Sequence, residues 1–222
     1  MLYRSKSHRA WLTAAVVALP LGLTLPAAAD SDFNYNYLSG SYVFADELEL
    51  DGLANQLDVD GVQFEASALL IDRVYVRLSG LSLDVDSNAP DLFDANLNTL
   101  SLGVGYALPL LTGPQSLDVT GEVSYERFDL FDDANGWGLT VGARWRPIDR
   151  LEVNGHAGWR DYGSLRGDDL DGWVYGIGAL YSVTDQFAVT ADWRRHDLEL
   201  NLSPNADLEV NTFSVGVRWS FR

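Results

Sequence analysis

The chain has 222 residues, 47% of them hydrophobic, no cysteine and a formal net charge of −17 at pH 7. This length allows one large domain or two small ones, and the absence of cysteine excludes disulfides, thiolate metal sites and a lipidated cysteine. So strong an acidic excess argues against nucleic acid as a partner, because phosphate backbones are bound by basic surfaces.

Residues 1–29 predict a secretory signal peptide. A basic start is followed by an apolar run and then by a small-residue cleavage site, in the order typical of such peptides. These parts are Arg4, Lys6 and Arg9, then Trp11 to Leu25, then Ala27-Ala28-Ala29. Pro20 and Pro26 interrupt the segment and disfavour the alternative of an uncleaved anchor. We therefore predict cleavage before Asp30, a mature domain of residues 30–222 and a mature net charge of about −20. No further apolar run of about 18 residues remains for a helical span.

The mature sequence alternates between apolar and polar side chains in ten segments. A period of two predicts β-strands with one apolar and one polar face. The predicted strands are Phe33–Phe44, Val62–Leu70, Val74–Ser79, Thr99–Leu108, Leu117–Glu126, Trp137–Arg146, Leu151–Arg160, Trp173–Ser182, Phe187–His196 and Val210–Arg222. Phe33, Tyr35 and Tyr37 share one face of the first strand. We expect a bulge or register change near Ser39-Gly40 and a phase slip at Gly80.

The connections between these segments alternate in character along the chain. Tight turns, such as those at Asp72-Arg73 and Thr184-Asp185, follow most even-numbered strands. Longer acidic loops follow the odd-numbered strands and cover residues 45–60, 84–96, 129–136, 161–171 and 197–209. This predicts an all-β, antiparallel, up-and-down transmembrane β-barrel with long outer loops and short periplasmic turns. Strand lengths of about ten to twelve residues suit tilted membrane-spanning strands.

The apolar faces end in aromatic residues. A soluble β-sandwich would instead bury aliphatic faces that mesh with a second sheet. Aromatic girdles border the lipid-facing band of outer-membrane barrels. The predicted girdle comprises Trp137, Trp145, Trp159, Trp173, Tyr181, Trp193, Trp219 and Phe221. The apolar faces are therefore predicted to contact lipid, and the last strand must pair with the first because hydrocarbon does not tolerate an open sheet edge.

The opposite faces carry glycine, serine, threonine and isolated charges, which suits a narrow lumen. An arginine or lysine on the lipid face near the midplane would cost about 2–4 kcal/mol. The predicted lumen network comprises Glu65, Arg77, Glu122, Arg144, Glu152, His156, Asp192, Arg194 and Arg218. We expect Arg144 to lie opposite Glu152 across the intervening turn, and Asp192 to be a near-diagonal neighbour of Arg218.

The pattern over Asp30–Arg222 resembles the small Gram-negative outer-membrane β-barrel families of the OmpA transmembrane-domain and OmpX type. Those barrels have eight strands, so eight stands as an alternative to ten. The resemblance implies a monomer in the cell outer membrane, surrounded by lipid and lipopolysaccharide and inserted by the barrel-assembly machinery. Such proteins end on an aromatic residue, whereas Phe221 is followed here by Arg222.

Ten strands also raise one enzymatic alternative, because omptin proteases are ten-stranded outer-membrane barrels with an Asp pair and an Asp–His pair at the outer rim. The candidates for those roles are Asp84, Asp86, His196 and Asp197. The order of His196 and Asp197 differs from the Asp-x-His arrangement of that family, and the predicted strands are short for it. Acidic rim residues and a lumen-facing histidine are the simpler interpretation, so we predict no enzyme.

No cofactor or metal site is predicted. The acidic runs at Asp58 and Asp60 and at Asp168 to Asp171 lack the fixed ligand spacing of a Ca²⁺ loop, which supplies 6–8 oxygen ligands. His156 has no serine two residues along, as a deacylase-type barrel would have. The sequence thus predicts a structural, adhesive or partner-binding barrel with acidic surface loops. A small passive channel is the second hypothesis and an omptin-like surface protease is the third.

Overall fold

The computed structural model describes residues 32–50, 57–87, 95–129, 133–165, 168–200 and 206–221. The predicted signal peptide, residues 1–29, lies outside these ranges. The strands are β1 (Tyr37–Leu50), β2 (Leu57–Ile71), β3 (Val74–Ser87), β4 (Ala95–Leu111), β5 (Ser116–Asp129), β6 (Asp133–Ile148), β7 (Leu151–Leu165), β8 (Asp168–Ser182), β9 (Phe187–Leu200) and β10 (Ala206–Ser220). Within the described ranges, no helix has the length and apolar character that crossing a membrane requires.

Each strand pairs antiparallel with its neighbours in the chain, and β1 pairs with β10 to close the barrel. At the closure Ser39 lies opposite Arg218 and Tyr42 opposite Val215. The predicted up-and-down barrel of ten strands is therefore confirmed, and the alternative of eight strands is wrong. A closed ring pairs every strand edge, which is what a hydrocarbon environment demands.

Through most of its height the barrel wall is apolar outside and polar inside. Val104, Val141 and Val217 point outwards with 53%, 57% and 61% of their surface exposed. Thr140 and Thr190 point inwards and are buried. An apolar outer surface is unfavourable in water and favourable against lipid chains.

At the outer end the wall reverses its polarity. Leu83, Leu170 and Leu198 are fully buried inside the barrel, while Asp84 is exposed on its outer surface. This is the arrangement of a soluble barrel, so the outer end stands in water above the lipid. The phase slip predicted at Gly80 is confirmed in the apolar pattern, because Leu78 faces outwards whereas Leu81 and Leu83 face the lumen. It involves no bulge, since β3 keeps an unbroken register with β2 and β4 around that residue. Along each strand, alternate side chains continue to point in and out of the barrel. Only the surroundings of the two faces change.

The strands are longer than predicted because their pairing continues above the lipid-facing band. They run for 14 to 17 residues, and β1 and β2 take up residues 45–50 and 57–60 of the first predicted loop. A strand of about 15 residues, tilted by about 40°, rises about 38 Å, against an apolar band of about 25 Å. The barrel therefore projects well beyond the membrane on the outer side.

The start of the described chain lies inside the barrel. Phe33, Tyr35 and Tyr37 share one face, as predicted, and it is the lumen face, where each is at most 7% exposed. The bulge predicted near Ser39-Gly40 is wrong, because the register of β1 shifts only between Ala45 and Glu47. The alternation of the first predicted strand is irregular because the apolar side chains at its start face the lumen. It is not caused by the extra residue of a bulge.

Candidate functional site in the barrel lumen

A polar cavity of about 120 Å³ occupies the middle of the lumen. Alternation along seven strands aims charged side chains at it, because every second residue faces inwards. All nine residues of the predicted lumen network line this cavity: Glu65, Arg77, Glu122, Arg144, Glu152, His156, Asp192, Arg194 and Arg218. The lumen is thus a charged compartment built from β2, β3, β5, β6, β7, β9 and β10.

The first ionic group joins β2, β3 and β5 around Arg77. Its guanidinium lies 2.6 Å from Glu122 and 3.7 Å from Glu65. The hydroxyl of Tyr37 donates a hydrogen bond to Glu65. Gly103 makes room for Glu122, because a Cβ atom there would lie 2.6 Å from the carboxylate. A partly buried cation between two carboxylates compensates part of the cost of removing these charges from water.

The second ionic group lies nearer the periplasmic end. Arg144 makes a bidentate pair with Glu152 at 2.7 and 3.0 Å. The predicted ion pair forms, but Asn154 rather than Glu152 lies opposite Arg144. The reason is that β6 continues to Ile148 and the tight turn to β7 is formed by Asp149 and Arg150, so the strands fold back later than predicted. Long side chains bridge the resulting diagonal.

Arg218 belongs to the same group. It approaches Glu152 at 4.0 Å, and its guanidinium lies 4.1 Å from the ring centre of Tyr37. Its predicted near-diagonal neighbour, Asp192, instead lies opposite Ser214, four residues along β10. That part of the prediction is wrong, because β9 and β10 pair without the stagger that would bring the two side chains together.

A third ionic group, above the cavity, was missing from the predicted network. Arg160 pairs with Glu126 at 3.0 Å and donates to the hydroxyl of Thr140 at 2.9 Å. Ser124 and Ser101 donate to the same carboxylate at 2.5 and 3.0 Å. Glu126 and Arg160 share the strand parity of Glu122 and His156, so parity in the sequence was the signal that could have identified them.

An apolar layer, here called the outer lid, closes the lumen above these charges. Eight strands each contribute one buried side chain to it: Val43, Leu83, Leu97, Phe128, Ala134, Tyr162, Leu170 and Leu198. The rings of Phe128 and Tyr162 lie 5.2 Å apart. These side chains pack together and leave the barrel interior apolar at this level.

The periplasmic mouth is closed by residues 32–36, here called the N-terminal strap. Phe33 and Tyr35 are 4% and 5% exposed and pack with Tyr75 and Ala107. The guanidinium of Arg144 lies 4.9 Å from the ring of Phe33 and 4.6 Å from that of Tyr35. The strap therefore adds aromatic and cation–π contacts beneath the ionic groups.

Polar contacts fix the strap at its first residue. Asp32 accepts hydrogen bonds from the Gly113 backbone N–H at 2.6 Å and the Ser116 hydroxyl at 2.8 Å. These two donors, together with the charge of Arg146, hold the pKa of Asp32 below its usual value of 3.8. Arg146 also donates to the Asp32 carbonyl at 2.9 Å. The strap thus reaches across the mouth to the β4–β5 turn.

The eight predicted girdle residues all lie on the outward face of the barrel. The most exposed are Tyr181 at 53% and Trp137 at 52%, whereas Trp159, Trp193 and Phe221 are half-buried by neighbours. Some of the rings contact each other: Trp159 meets Trp173 edge-on at 5.4 Å, and Trp219 meets Phe221 at 5.4 Å. Exposed tryptophan and tyrosine rings are the side chains that suit a membrane interface.

The four catalytic candidates do not converge. Asp84 lies exposed on the outer surface of β3, and His196 faces the lumen from β9, so the barrel wall separates them. Asp197 points to the opposite face from His196, and the side chain of Asp86 lies outside the described part of the structure. Among the described residues, no three potential metal ligands cluster. The side chains of Asp58, Asp168 and Asp169 lie outside this description.

Comparisons with solved structures return other barrels of the bacterial surface. The neisserial surface protein A has 13% identity over 83% of this chain and 96% of its own, with a TM-score of 0.42. The outer membrane protease OmpT of Escherichia coli has 12% identity over 84% and 94%, with a TM-score of 0.39. The attachment invasion locus protein Ail of Yersinia pestis has 13% identity over 83% and 97%, with a TM-score of 0.38. Likenesses this distant say nothing about what the present protein does.

The sequence itself carries a family match. No curated protein is similar in sequence to this chain. The family model for the outer membrane protein beta-barrel domain matches residues 15–221, which include every described strand. The chain therefore belongs to the outer membrane protein beta-barrel domain family and is a small outer-membrane β-barrel protein.

Proposed function

We propose that the protein is a non-enzymatic, non-conducting barrel that presents an acidic surface for envelope stability, adhesion or partner binding. The observation that carries this proposal is the double closure of the lumen, by the outer lid and by the N-terminal strap. A conducting pore needs a continuous water path, and both closures replace water with packed apolar side chains. Small barrels generally have interiors filled in this way.

The outer surface supports a role in contact rather than transport. Above the apolar band, nine acidic side chains point outwards: Asp60, Asp84, Asp129, Asp133, Asp161, Asp171, Asp197, Glu199 and Glu209. Arg127 and Arg195 lie among them, 2.9 Å from Asp133 and 2.7 Å from Glu209. This acidic collar keeps the projecting end soluble and attracts divalent cations or basic partners.

Planar-bilayer conductance tests the leading proposal directly. The purified protein should give no steady current steps at a protein density at which a general porin does. Regular single-channel openings of the native protein would overturn the proposal and favour the passive channel, which the 120 Å³ cavity makes the second candidate. Cleavage of peptides, lost on Asp84→Ala or His196→Ala, would instead support a surface protease.

Export through a cleaved signal peptide and insertion by the barrel-assembly machinery are part of the same proposal. N-terminal sequencing of protein from outer-membrane fractions should begin at Asp30, after the Ala27-Ala28-Ala29 site. Boiled and unboiled samples should migrate differently on a gel, because a closed barrel resists unheated detergent. Identical migration, with the protein in the periplasm, would contradict both statements.

A further inference from the structure

The periplasmic mouth holds the N-terminal strap in the way that a binding site holds a peptide. None of residues 32–36 belongs to a strand, so the strap takes no part in the strand pairing of the barrel. Side chains of β3, β5 and β6 contact the strap, and a backbone N–H of the β4–β5 turn donates a hydrogen bond to it. Asn36 is the point of attachment, where its carbonyl accepts the N–H of Phe221 at 3.0 Å.

Two subsites of the mouth recognise aromatic rings. Tyr35 stacks on Tyr75 with ring centres 5.1 Å apart and planes 20° apart, and its hydroxyl donates to Asp118 at 2.8 Å. Phe33 lies between two cations, with the guanidinium groups of Arg144 and Arg146 4.9 and 4.8 Å from its ring centre. An aromatic face attracts a cation, so these subsites select rings over aliphatic side chains.

A third subsite recognises a carboxylate. The Gly113 N–H and the Ser116 hydroxyl both donate to Asp32, and Arg146 binds the carbonyl of the same residue. The three subsites recognise an acid, an aromatic ring and a tyrosine, at the positions of Asp32, Phe33 and Tyr35. Between the two rings, the side-chain amide of Asn34 donates to the Phe221 carbonyl at 3.1 Å, so this position favours asparagine. In an extended peptide the two rings point to the same side, because they are two residues apart.

We propose that the periplasmic mouth is a binding site for an extended peptide of this acidic–aromatic–asparagine–tyrosine pattern. Its occupant in this structure is the chain's own strap, and a matching segment of another periplasmic protein can replace it. Replacement leaves every strand pairing intact, because the strap contributes to none of them. An intramolecular occupant has the advantage of a high effective concentration, so a competitor gains access when the strap is weakened. The inference goes beyond the proposed function, since it holds whether or not the barrel conducts.

The test uses the full mature chain with a weakened strap. Phe33→Ala/Tyr35→Ala empties both aromatic subsites and leaves the mouth side chains in place. The probe is a fluorescent peptide of sequence Asp-Phe-Asn-Tyr-Asn, measured by anisotropy in detergent. We expect saturable binding to the double variant, and at least tenfold weaker binding to the native protein, whose site is filled. The peptide Asp-Ala-Asn-Ala-Asn should also bind at least tenfold more weakly.

A matched control separates site binding from general adhesion to the barrel. Tyr125→Ala removes an outward aromatic side chain of β5, 54% exposed, and should behave as the native protein does. If the double variant fails the heat-mobility test of folding, Tyr35→Phe, which loses only the hydrogen bond to Asp118, takes its place. That variant should bind the peptide more tightly than the native protein. Equal binding by native and variant proteins, no binding to a folded variant, or failure of both variants to fold would each overturn the proposal.

Discussion

At the scale of single residues, Arg144 connects the two parts of the lumen. It pairs with Glu152, contacts the rings of Phe33 and Tyr35, and its Nη1 lies 3.3 Å from the Asn34 carbonyl. The Arg144 guanidinium therefore contacts both the N-terminal strap and the ionic group of Glu152 above it. Removing it would leave a buried carboxylate with Arg218 as its remaining cation, at 4.0 Å.

We expect Arg144→Ala to lower the free energy of unfolding by about 3 kcal/mol, because breaking a buried ion pair strands the partner charge in a medium of low polarity. Urea unfolding in phospholipid vesicles, followed by tryptophan fluorescence, measures the loss. Arg127→Ala is the matched control: it removes an ion pair whose side chains are about half exposed, and it should leave the midpoint unchanged. Equal effects of the two variants would show that the lumen charges are as well solvated as those at the surface.

Asp32 makes the hold on the strap depend on pH. Its pKa is lower in the folded protein than in the unfolded chain, so it adds stability above pH 3.8, and that stability is lost as the pH falls through the lowered value. The difference in unfolding free energy between native protein and Asp32→Asn should therefore be constant above about pH 5 and shrink below pH 3.8. Parallel denaturation series at pH 7, 5 and 3 measure it. A difference that widens towards acid would contradict this assignment.

At the scale of strands, the apolar face can change sides without any change in the pairing register, as it does around Gly80. In β3, Val76 and Leu78 face lipid, and Leu81 and Leu83 face the lumen. Close packing of neighbouring strands is made possible by glycines. A Cβ atom on Gly136 would lie 1.6 Å from the Asp161 carbonyl oxygen, so β6 and β7 approach each other there more closely than a side chain allows.

Substitution at two glycines should separate close approach from strand propensity. Gly136→Ala forces the backbones of β6 and β7 apart and should cost about 1–3 kcal/mol or more, as overpacking does. Gly121→Ala is the control, because nothing lies within 4 Å of its Cβ position on the lipid face. That variant should be neutral or up to about 1 kcal/mol more stable, since alanine loses less entropy in a strand. Vesicle unfolding measures both, and equal losses would refute the close-approach explanation.

The strands and the lumen side of their charges could be predicted because period-two alternation is local. It located Arg77, Arg144 and Glu152 correctly, since a charge is costly against lipid. It could not locate the outer ends of the strands, because above the membrane Leu83 and Phe128 turn inwards and the rule for the apolar face reverses. It also could not identify Phe33 and Tyr35 as a plug, because apolar residues near a membrane segment suit lipid equally well. Those positions depend on contacts with Tyr75 and Arg144, which are distant in sequence.

At the scale of the whole molecule, the outer lid and the N-terminal strap close one channel in series. Resistances in series add, so opening either closure alone leaves the other to block ions. The charged middle of the lumen lies between these two closures.

Conductance should accordingly require substitutions in both the outer lid and the N-terminal strap. Phe33→Ala/Tyr35→Ala alone and Leu83→Ala/Leu170→Ala alone should remain silent in planar bilayers, and the combination of all four should give current steps. The control pair Leu102→Ala/Val104→Ala trims outward side chains of β4, which are 51% and 53% exposed, and should add no conductance to either parent. Current from the strap variant alone would show that the outer lid is not a barrier.

The contacts between the strap region and Phe221 also fix the order of events in biogenesis. Asn34 donates its amide to the Phe221 carbonyl at 3.1 Å across a sequence separation of 187 residues, and the Phe221 N–H returns a bond to Asn36. This clasp cannot exist before Phe221 has been synthesised and has reached the same compartment as Asn34. Until then β1 and β10 are open edges, ready to pair with the wrong chain. Both edges are satisfied only when β1 and β10 pair along their length and the clasp forms beside that pairing.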